Sequence, residues 1–374
     1  MSSSAPSDPP QVEAVPVPDG SGIGETLSAV GLPEDVTARW SRFARPLEVT
    51  VLVARSAVQV TGAAVVVSRH LSASVKIGGV WTRPGDDALA VQAALVSAAE
   101  ELARQKGAIV IKRELGVSEA GGHEAGIPGS GEVDGGAYEL VPTPPMAGPA
   151  PKGESAVPSG RFRWMTADPV AVVPYIRQTT EFTCGPSALL MALSYFGLHP
   201  TPDRSTEIGL WREATTVGGC DPYGMAVAAA RHGLDVELTV TTSDFFLLDG
   251  LEENEREFRR FIQGEFRDQA AAAGVKVAEQ PFDASAIRDI IESGRLAIVL
   301  VDTLLLTEEA CPHWIIVHSL ASDLFVIHDP WTEVNAGESW LDAYNVPMTS
   351  ADLERIARTG DPSASAVLAV GPAS

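Results

Sequence analysis

The chain has 374 residues, which is enough for one to three domains, and 45% of them are hydrophobic, so at least one sizeable core can form. Lys and Arg number 27 against 49 Asp and Glu, and the formal net charge is −22. A chain this acidic lacks the clustered basic side chains that bind nucleic-acid phosphates or anionic lipid headgroups. We therefore expect neither a nucleic-acid partner nor a membrane partner.

The N-terminus and the cysteines predict a cytoplasmic protein. The opening M-S-S-S-A-P-S-D-P-P has no basic region followed by an apolar one, so we expect no secretory signal. No apolar run approaches the roughly 18 residues of a membrane-spanning helix. The three cysteines, Cys184, Cys220 and Cys311, are odd in number and sparse, which suits a reducing compartment better than a disulfide framework.

Two low-complexity stretches divide the sequence. The first 22 residues or so are rich in Ser, Pro and Asp and predict disorder, so residues 1–40 are interpreted as a disordered tail with a short helical lead-in. A Gly- and Pro-rich stretch predicts a linker over residues 116–165. We expect a small domain over 41–115 and a larger domain over 166–374.

The small domain is predicted to have the order β-β-β-α-β. Its runs rich in Val and Ala predict strands, a helix follows and ends before Gly107, and A-I-V-I-K-R-E predicts the last strand. The predicted ranges are strands over 47–54, 60–69, 74–82 and 108–114 and a helix over 86–106.

This order resembles the central part of the N-acetyltransferase (GNAT) superfamily, over about residues 45–115. The loop W-T-R-P-G-D-D-A stands where that superfamily holds the pyrophosphate of acetyl-CoA on backbone amides. Asp86 and Asp87 fall at that position, and carboxylates at a helix N-terminus suit the helix dipole but repel an anion. The resemblance implies either an acetyltransferase or, as these two residues favour, a degenerate acetyltransferase-like domain used for packing or substrate docking.

In the larger domain most predicted helices come first and most strands after, an α+β arrangement. Its helices are predicted over 184–196, 204–214, 225–232, 251–273 and 284–294, and its strands over 235–240, 296–302, 313–320 and 324–330.

Cys184 stands at the start of a predicted helix. Unpaired N–H groups and the helix dipole stabilise a thiolate there, whereas an ordinary thiol with a pKa of about 8.5 is only slightly ionised at neutral pH. A thiolate that attacks a carbonyl also needs donors for the oxyanion, and Gln178 lies six residues upstream. By position alone, Cys184 fits a nucleophile and a small buried apolar side chain equally well.

A nucleophilic cysteine needs a histidine base that a third group orients. His313 opens one predicted strand and Asp329 ends the next, so antiparallel pairing would bring these two side chains together. His318 and His328 lie in the same strands but on the opposite face by parity, and we interpret them as structural.

The runs V-P-Y-I-R-Q-T-T-E-F-T-C-G-P-S-A-L-L-M-A-L, P-H-W-I-I-V-H-S-L and V-I-H-D-P-W together resemble papain-like cysteine peptidases, and among them the bacteriocin leader-peptide (double-glycine) peptidase-like family. The resemblance covers about residues 170–335. It implies a papain-like fold in which Gln178 is the oxyanion donor, Cys184 the nucleophile, His313 the base and Asp329 the orienting residue. It also implies a peptide or protein substrate and no cofactor.

Several nearby residues have more than one interpretation. Four residues are candidates for lining a substrate cleft: Trp211, Glu213, Cys220 and Asp221. For Cys220 the favoured interpretation is a buried loop cysteine. For Glu213 and Asp221 it is a capping or solvated carboxylate. The chain contains no C-x-x-C pair, and a metal-bound His313 would be unable to act as a base, so we expect no zinc site.

The sequence thus predicts a cytoplasmic cysteine peptidase that cleaves amide bonds through an acyl-enzyme. One alternative is an amide-forming acyltransferase or transpeptidase that uses the same acyl-enzyme. Another is a non-catalytic peptide-binding module that retains the fold. The sequence does not determine the oligomeric state.

Overall fold

The structure is a computed structural model that describes residues 11–18, 22–56, 59–85, 87–115, 138–141, 159–199, 201–242, 244–248, 250–359 and 364–373. Two compact units are present. Unit 1 comprises Met1–Pro142, Pro158–Ala167 and Glu333–Leu341, and unit 2 comprises Thr143–Val157, Asp168–Thr332 and Asp342–Ser374. This division differs from the two contiguous domains expected from the sequence, because Glu333–Leu341 belongs to unit 1. The fold class is α+β, with a separate sheet in each unit.

Unit 1 is built on one sheet with helices on both faces. Its described elements are β1 (Gln11–Pro16), α1 (Ile23–Val30), α2 (Glu34–Trp40), β2 (Glu48–Ser56), β3 (Gln59–Ser68), β4 (Ser74–Thr82), α3 (Ala88–Gln105), β5 (Val110–Leu115), β6 (Glu139–Val141) and β7 (Ser159–Trp164). The strand order is β1-β2-β3-β4-β5-β7-β6, and only the β4–β5 pair is parallel. The predicted β-β-β-α-β order is confirmed.

Alternating residues of β2 and β3 explain the two cores of unit 1. Val51 and Val53 pack in a core with α1 and α2, whereas Leu52 and Ala54 pack in a core with α3. Successive side chains of a strand point to opposite faces, so a sheet covered on both faces needs nearly continuous apolar strands. The run V-T-V-L-V-A in β2 meets this requirement.

Two parts of unit 1 differ from the sequence-based expectation. Gln11–Pro16, predicted to belong to a disordered tail, forms β1 and pairs with β2, because Val12 and Val15 pack against the two cores. The described parts of the predicted linker form β6 and β7, which pair with each other, and β7 also pairs with β5. The rest of the tail up to residue 10, most of the linker and Asp86 lie outside the described residues.

A buried ion pair holds Glu333–Leu341 within unit 1. Arg69 donates from Nε and Nη2 to the two carboxylate oxygens of Glu338, at 2.9 and 3.2 Å. The two side chains are only 3% and 1% exposed. Gly337 has φ +85°, and a Cβ there would lie 2.8 Å from the Arg42 carbonyl oxygen, so this close approach requires glycine.

Unit 2 contains the second sheet. Its elements are α4 (Cys184–Tyr195), α5 (Arg204–Ala214), α6 (Pro222–Arg231), β8 (Leu234–Val240), α7 (Glu253–Ala272), β9 (Lys276–Glu279), α8 (Ala284–Glu292), β10 (Leu296–Asp302), α9 (Leu304–Thr307), β11 (Pro312–Ala321), β12 (Leu324–His328), α10 (Trp340–Ala343, whose first half lies in unit 1), β13 (Val346–Met348), α11 (Ser350–Ile356) and β14 (Ala366–Pro372). The strand order is β13-β12-β11-β10-β14-β8-β9, with only β8–β9 parallel.

Helix α4 is buried along most of its length because nearly every position is apolar or small. The residues from Cys184 to Leu193 are all buried, which is typical of a helix that is hydrophobic all round. The helix packs against β11, α5 and α6. A Cβ on Gly185 would lie 2.8 Å from Met225 Sδ and 3.1 Å from Trp314 Cδ1, so the absence of a side chain lets the start of α4 approach β11 closely.

The predicted helices and strands of unit 2 are present, with two kinds of difference. Helix α6 begins at Pro222 rather than at Met225, because the Asp221 carboxyl group caps it by accepting from the Tyr223 and Gly224 N–H groups. Strands β9, β13 and β14 and helices α9, α10 and α11 were not predicted. No helix among the described residues is both long and apolar enough to cross a membrane.

Two histidines, His318 in β11 and His328 in β12, are buried against each other with ring centroids 4.3 Å apart. His328 Nδ1 accepts from the Asn345 N–H at 3.1 Å and Nε2 donates to the Val173 carbonyl at 2.9 Å, the pattern of a neutral ring. Burial, with a smaller contribution from His328, holds the pKa of His318 well below its usual value.

Replacing Arg69 by Met is expected to lower the free energy of unfolding by about 3–5 kcal/mol, because Glu338 stays buried without its bidentate arginine. The control is Arg39→Met, which removes the pair between Arg39 and Asp35, whose side chains are 61% and 76% exposed. The control is expected to cost less than about 1 kcal/mol in the same urea titration. Equal losses of unfolding free energy in Arg69→Met and Arg39→Met would contradict the stabilising role of the buried pair between Arg69 and Glu338.

His318 is expected to destabilise the fold on acidification. Folded His318 resists protonation, whereas the unfolded chain protonates near the usual pKa of 6.5, so its contribution is fully present above that pH and is lost as the pH falls below it. Below pH 6.5, the free energy of unfolding should fall more steeply with decreasing pH in wild type than in His318→Gln, by up to about 1.4 kcal/mol per pH unit. Urea unfolding at several pH values measures both slopes. A wild-type slope in His318→Gln would refute the prediction.

Candidate active site

Cys184 is the first residue of α4, and the residue is only 6% exposed. Thr183 holds the N-cap position, but its hydroxyl makes no capping hydrogen bond. It interacts instead with the hydroxyl and the carbonyl oxygen of Thr180, at 3.0 and 3.4 Å. The side chain that usually caps the N–H groups of a first turn is therefore turned away from them, and the Gly185 N–H is one of the groups that lower the pKa of the Cys184 thiol.

His313 and Asp329 lie at the ends of paired strands. His313 is the second residue of β11, and Asp329 directly follows β12, its antiparallel partner. His313 Nε2 lies 2.6 Å from Asp329 Oδ1, and both side chains are buried. The Trp331 N–H donates to the same oxygen at 2.8 Å. Since Nε2 is engaged by Asp329, Nδ1 is the ring nitrogen left to interact with Cys184, and the two residues shift each other's pKa.

Electrostatic effects shift both groups toward their charged forms. Burial alone raises the pKa of Cys184, but the charge and hydrogen bond of His313, with hydrogen bonds from the Trp314 and Gly185 N–H groups, lower it below its usual value. Burial likewise lowers the pKa of His313, but the charges and hydrogen bonds of Asp329 and Cys184 raise it to about 10. Both shifts favour a thiolate–imidazolium pair over two neutral groups.

Gln178 is held beside Asp329 by contacts of its own chain segment. The Gln178 N–H donates to the Pro330 carbonyl at 3.1 Å. Three residues earlier, the Tyr175 hydroxyl donates to the Asp329 carbonyl at 2.9 Å. The segment that carries Gln178 therefore follows the end of β12, where Asp329 lies.

The Gln178 side chain is buried, and its amide nitrogen already donates one hydrogen bond. Its Nε2 donates to the Thr180 carbonyl at 2.8 Å, and an amide group has a second N–H on the same nitrogen. Its Oε1 has no hydrogen-bond partner among the residues that the structure describes. The structure thus joins His313 to Asp329 through a hydrogen bond, places the His313 ring near Cys184 and anchors Gln178 next to Asp329.

The other two cysteines have different surroundings. Cys220 is buried, and burial, with the charges of Cys184 and Asp221, raises its pKa well above the usual value. Cys311 is exposed, and partial burial of its thiol and nearby negative charges raise its pKa. All three cysteines are free thiols.

The remaining candidates for the cleft take part in local contacts. Glu213 pairs with His232 at 3.1 Å, and Trp211 donates its indole N–H to the Gly218 carbonyl at 2.7 Å. The Trp211 ring also contacts Phe182, with centroids 5.2 Å apart. Within the described ranges, no group of three or more His, Cys, Asp or Glu side chains is arranged to hold a metal ion.

Sequence reasoning missed Glu207, which is 0% exposed. It lies in α5, and its carboxyl group accepts three hydrogen bonds from Thr179 and Ser187. In the sequence it appears as an ordinary glutamate in the first turn of a polar helix, R-S-T-E-I-G-L-W-R-E-A. Only its burial distinguishes it from the exposed glutamates of the chain.

Two solved structures show how the chain compares with known folds. A tandem GNAT protein from the clavulanic acid biosynthesis pathway, without acetyl-CoA, is 23% identical, with 28% of this chain and 37% of that chain covered and a TM-score of 0.21. A putative acyl-CoA N-acyltransferase from Klebsiella pneumoniae is 17% identical, with 42% and 97% covered and a TM-score of 0.24. The chain spans little more than a third of the tandem protein, and neither likeness carries a conclusion about its activity.

No curated protein matches the sequence. A family model described as a peptidase C39-like family matches residues 173–371, more than half of the chain, and includes Cys184, His313 and Asp329. The chain belongs to the peptidase C39-like family.

Proposed function

We propose that the chain is a cysteine peptidase that cleaves an amide bond of a peptide or protein, with Cys184, His313, Asp329 and Gln178 as its catalytic residues. The observation that carries this proposal is the buried contact of 2.6 Å between His313 and Asp329, with the His313 ring near enough to Cys184 to lower the pKa of its thiol. Membership of the peptidase C39-like family supports it. Three free thiols also fit a cytoplasmic location.

In the first half of the reaction, the Cys184 thiolate attacks the substrate carbonyl carbon, and a C–S bond forms. The carbonyl oxygen becomes an oxyanion, which accepts from the Cys184 backbone N–H and the second N–H of the Gln178 amide. The His313 imidazolium gives its Nδ1 proton to the departing amine as the C–N bond breaks. An acyl-enzyme and a neutral imidazole remain.

In the second half, His313 takes a proton from water, and the hydroxide attacks the thioester carbonyl. The C–S bond breaks, the carboxylic acid leaves, and the thiolate–imidazolium pair is restored. Asp329 accepts from Nε2 throughout, so it keeps Nδ1 directed at the sulfur and stabilises the imidazolium. The carboxylate stays in place because the Trp331 N–H also donates to it.

Alkylation by iodoacetamide between about pH 5 and 9 tests the ion pair. Cys184 is expected to react faster than Cys220 and Cys311 below pH 7, because only the pKa of Cys184 is lowered. Peptide mass spectrometry gives the rate at each cysteine. Exposed Cys311 is the internal control for reagent access.

His313→Ala should slow the alkylation of Cys184 below pH 7 to the rates of the other two cysteines. Asp329→Asn should raise the pH at which Cys184 reaches half of its maximal alkylation rate, because Asp329 raises the pKa of His313 and so favours the imidazolium beside the thiol. Three cysteines that titrate alike in the wild type, or an inert Cys184, would remove the basis of the catalytic assignment.

Competition between water and an amine tests the second half of the reaction. After acylation of Cys184 by an activated ester, loss of the acyl group to water is expected to dominate even when a small amine such as glycinamide is added. Mass spectrometry of the small products separates the free acid from the amide. If most of the acyl group appears as the amide, the chain is an acyltransferase; Cys184→Ala is the control and should release neither product above background.

A further inference from the structure

Glu207 makes contacts that no residue of the proposed mechanism makes. Its Oε1 accepts from the Thr179 N–H at 2.8 Å and from the Ser187 hydroxyl at 3.3 Å. Its Oε2 accepts from the Thr179 hydroxyl at 2.6 Å. Three donors converge on one fully buried carboxyl group, which is how a buried polar group is accommodated in a core.

The donors belong to the two segments that carry catalytic groups. Thr179 follows Gln178 directly, and Ser187 lies one helical turn after Cys184 in α4. Glu207 therefore joins the turn that carries the oxyanion donor to the helix that carries the nucleophile. The distance between these two groups depends on α5, which holds Glu207.

The same turn also orients the Gln178 amide. Gln178 Nε2 donates to the Thr180 carbonyl at 2.8 Å, so the plane of the amide follows the position of Thr180. Residues 165–183 form no helix or strand, and side-chain contacts replace a regular hydrogen-bond ladder there. Glu207 provides two of these contacts to one residue, Thr179.

We propose that Glu207 is a positioning residue that holds the Gln178–Thr180 turn so that the Gln178 amide faces the substrate carbonyl oxygen at Cys184. The inference rests on the proposed function and deepens it. Glu207 acts through Gln178 and touches none of the reacting atoms. Because a misplacement of about 1 Å can lower a rate by about 100-fold, its loss affects the step that uses the oxyanion donor.

Two reactions of Cys184 separate positioning from general structure. Acylation by p-nitrophenyl acetate passes through an oxyanion, whereas alkylation by iodoacetamide displaces iodide and forms none. Glu207→Gln keeps the size of the side chain but replaces one acceptor oxygen with a donor. Glu207→Gln is expected to slow acylation of Cys184 by about 10- to 100-fold and to leave its alkylation rate within about twofold of the wild-type rate.

Two further variants keep the test decisive. Thr179→Val removes the hydroxyl that donates to Glu207 Oε2, with little change in shape. If Glu207→Gln does not fold, Thr179→Val should show the same result, slower acylation of Cys184 with unchanged alkylation. Glu257→Gln is the control with the same chemical change, because Glu257 is an exposed glutamate of α7, and both of its rates should equal those of wild type.

A double-variant cycle tests the route through Gln178. Gln178→Ala alone should slow acylation by about 100-fold or more, and Glu207→Gln should add little in that background, because interacting residues are not additive. Full additivity, or equal loss of acylation and alkylation in Glu207→Gln, overturns the positioning role. Failure of the wild type to be acylated at Cys184 overturns the proposed function and this inference together, whereas normal acylation of Glu207→Gln overturns this inference alone.

Discussion

The candidate site depends on the contact of 2.6 Å between His313 Nε2 and Asp329 Oδ1. Removing an ion pair from water costs free energy. The buried pair is stable only when further hydrogen bonds satisfy its remaining donors and acceptors. Trp331 supplies one such bond to Asp329, and the negative charge that Cys184 can carry adds to that of Asp329 in raising the pKa of His313. The two strands of an antiparallel hairpin fix the distance, because His313 lies at the start of β11 and Asp329 directly after β12. The altered pKa values of the thiol and the imidazole both follow from this arrangement.

The start of α4 meets the same pair from the helix side. Thr183 bonds to the preceding turn instead of capping the helix, so no side chain of the N-cap residue covers the first-turn N–H groups beside Cys184. Gly185 lets the helix approach Trp314, the residue after His313. The features that appear unfavourable for an isolated helix, an uncapped end and a glycine in the first turn, are those that bring the thiol to the imidazole.

Buried carboxyl groups hold the irregular segments of both units. Glu338 anchors Glu333–Leu341 in unit 1, while in unit 2 Glu207 anchors the turn beside Gln178 and Asp221 caps α6. Irregular backbone lacks the partners that helices and sheets provide, so its N–H groups need acceptors from side chains. A carboxyl group has two oxygens and accepts several donors at once, which suits it to this purpose.

The sequence by itself determined the order of most elements, the α+β class and the four candidate residues, because apolar periodicity and the position of Cys184 at a helix start are local properties. Antiparallel pairing of neighbouring strands was also readable, and it predicted the meeting of His313 and Asp329. Tertiary structure decided the pairing of β1 with β2, the placement of Glu333–Leu341 in unit 1 and the role of β14, which lies between β10 and β8. It also decided which glutamates are buried. Glu207 and Glu213 occupy one helix and look alike in the sequence, but only Glu207 faces the interior, because burial depends on what packs against a helix and not on the helix alone.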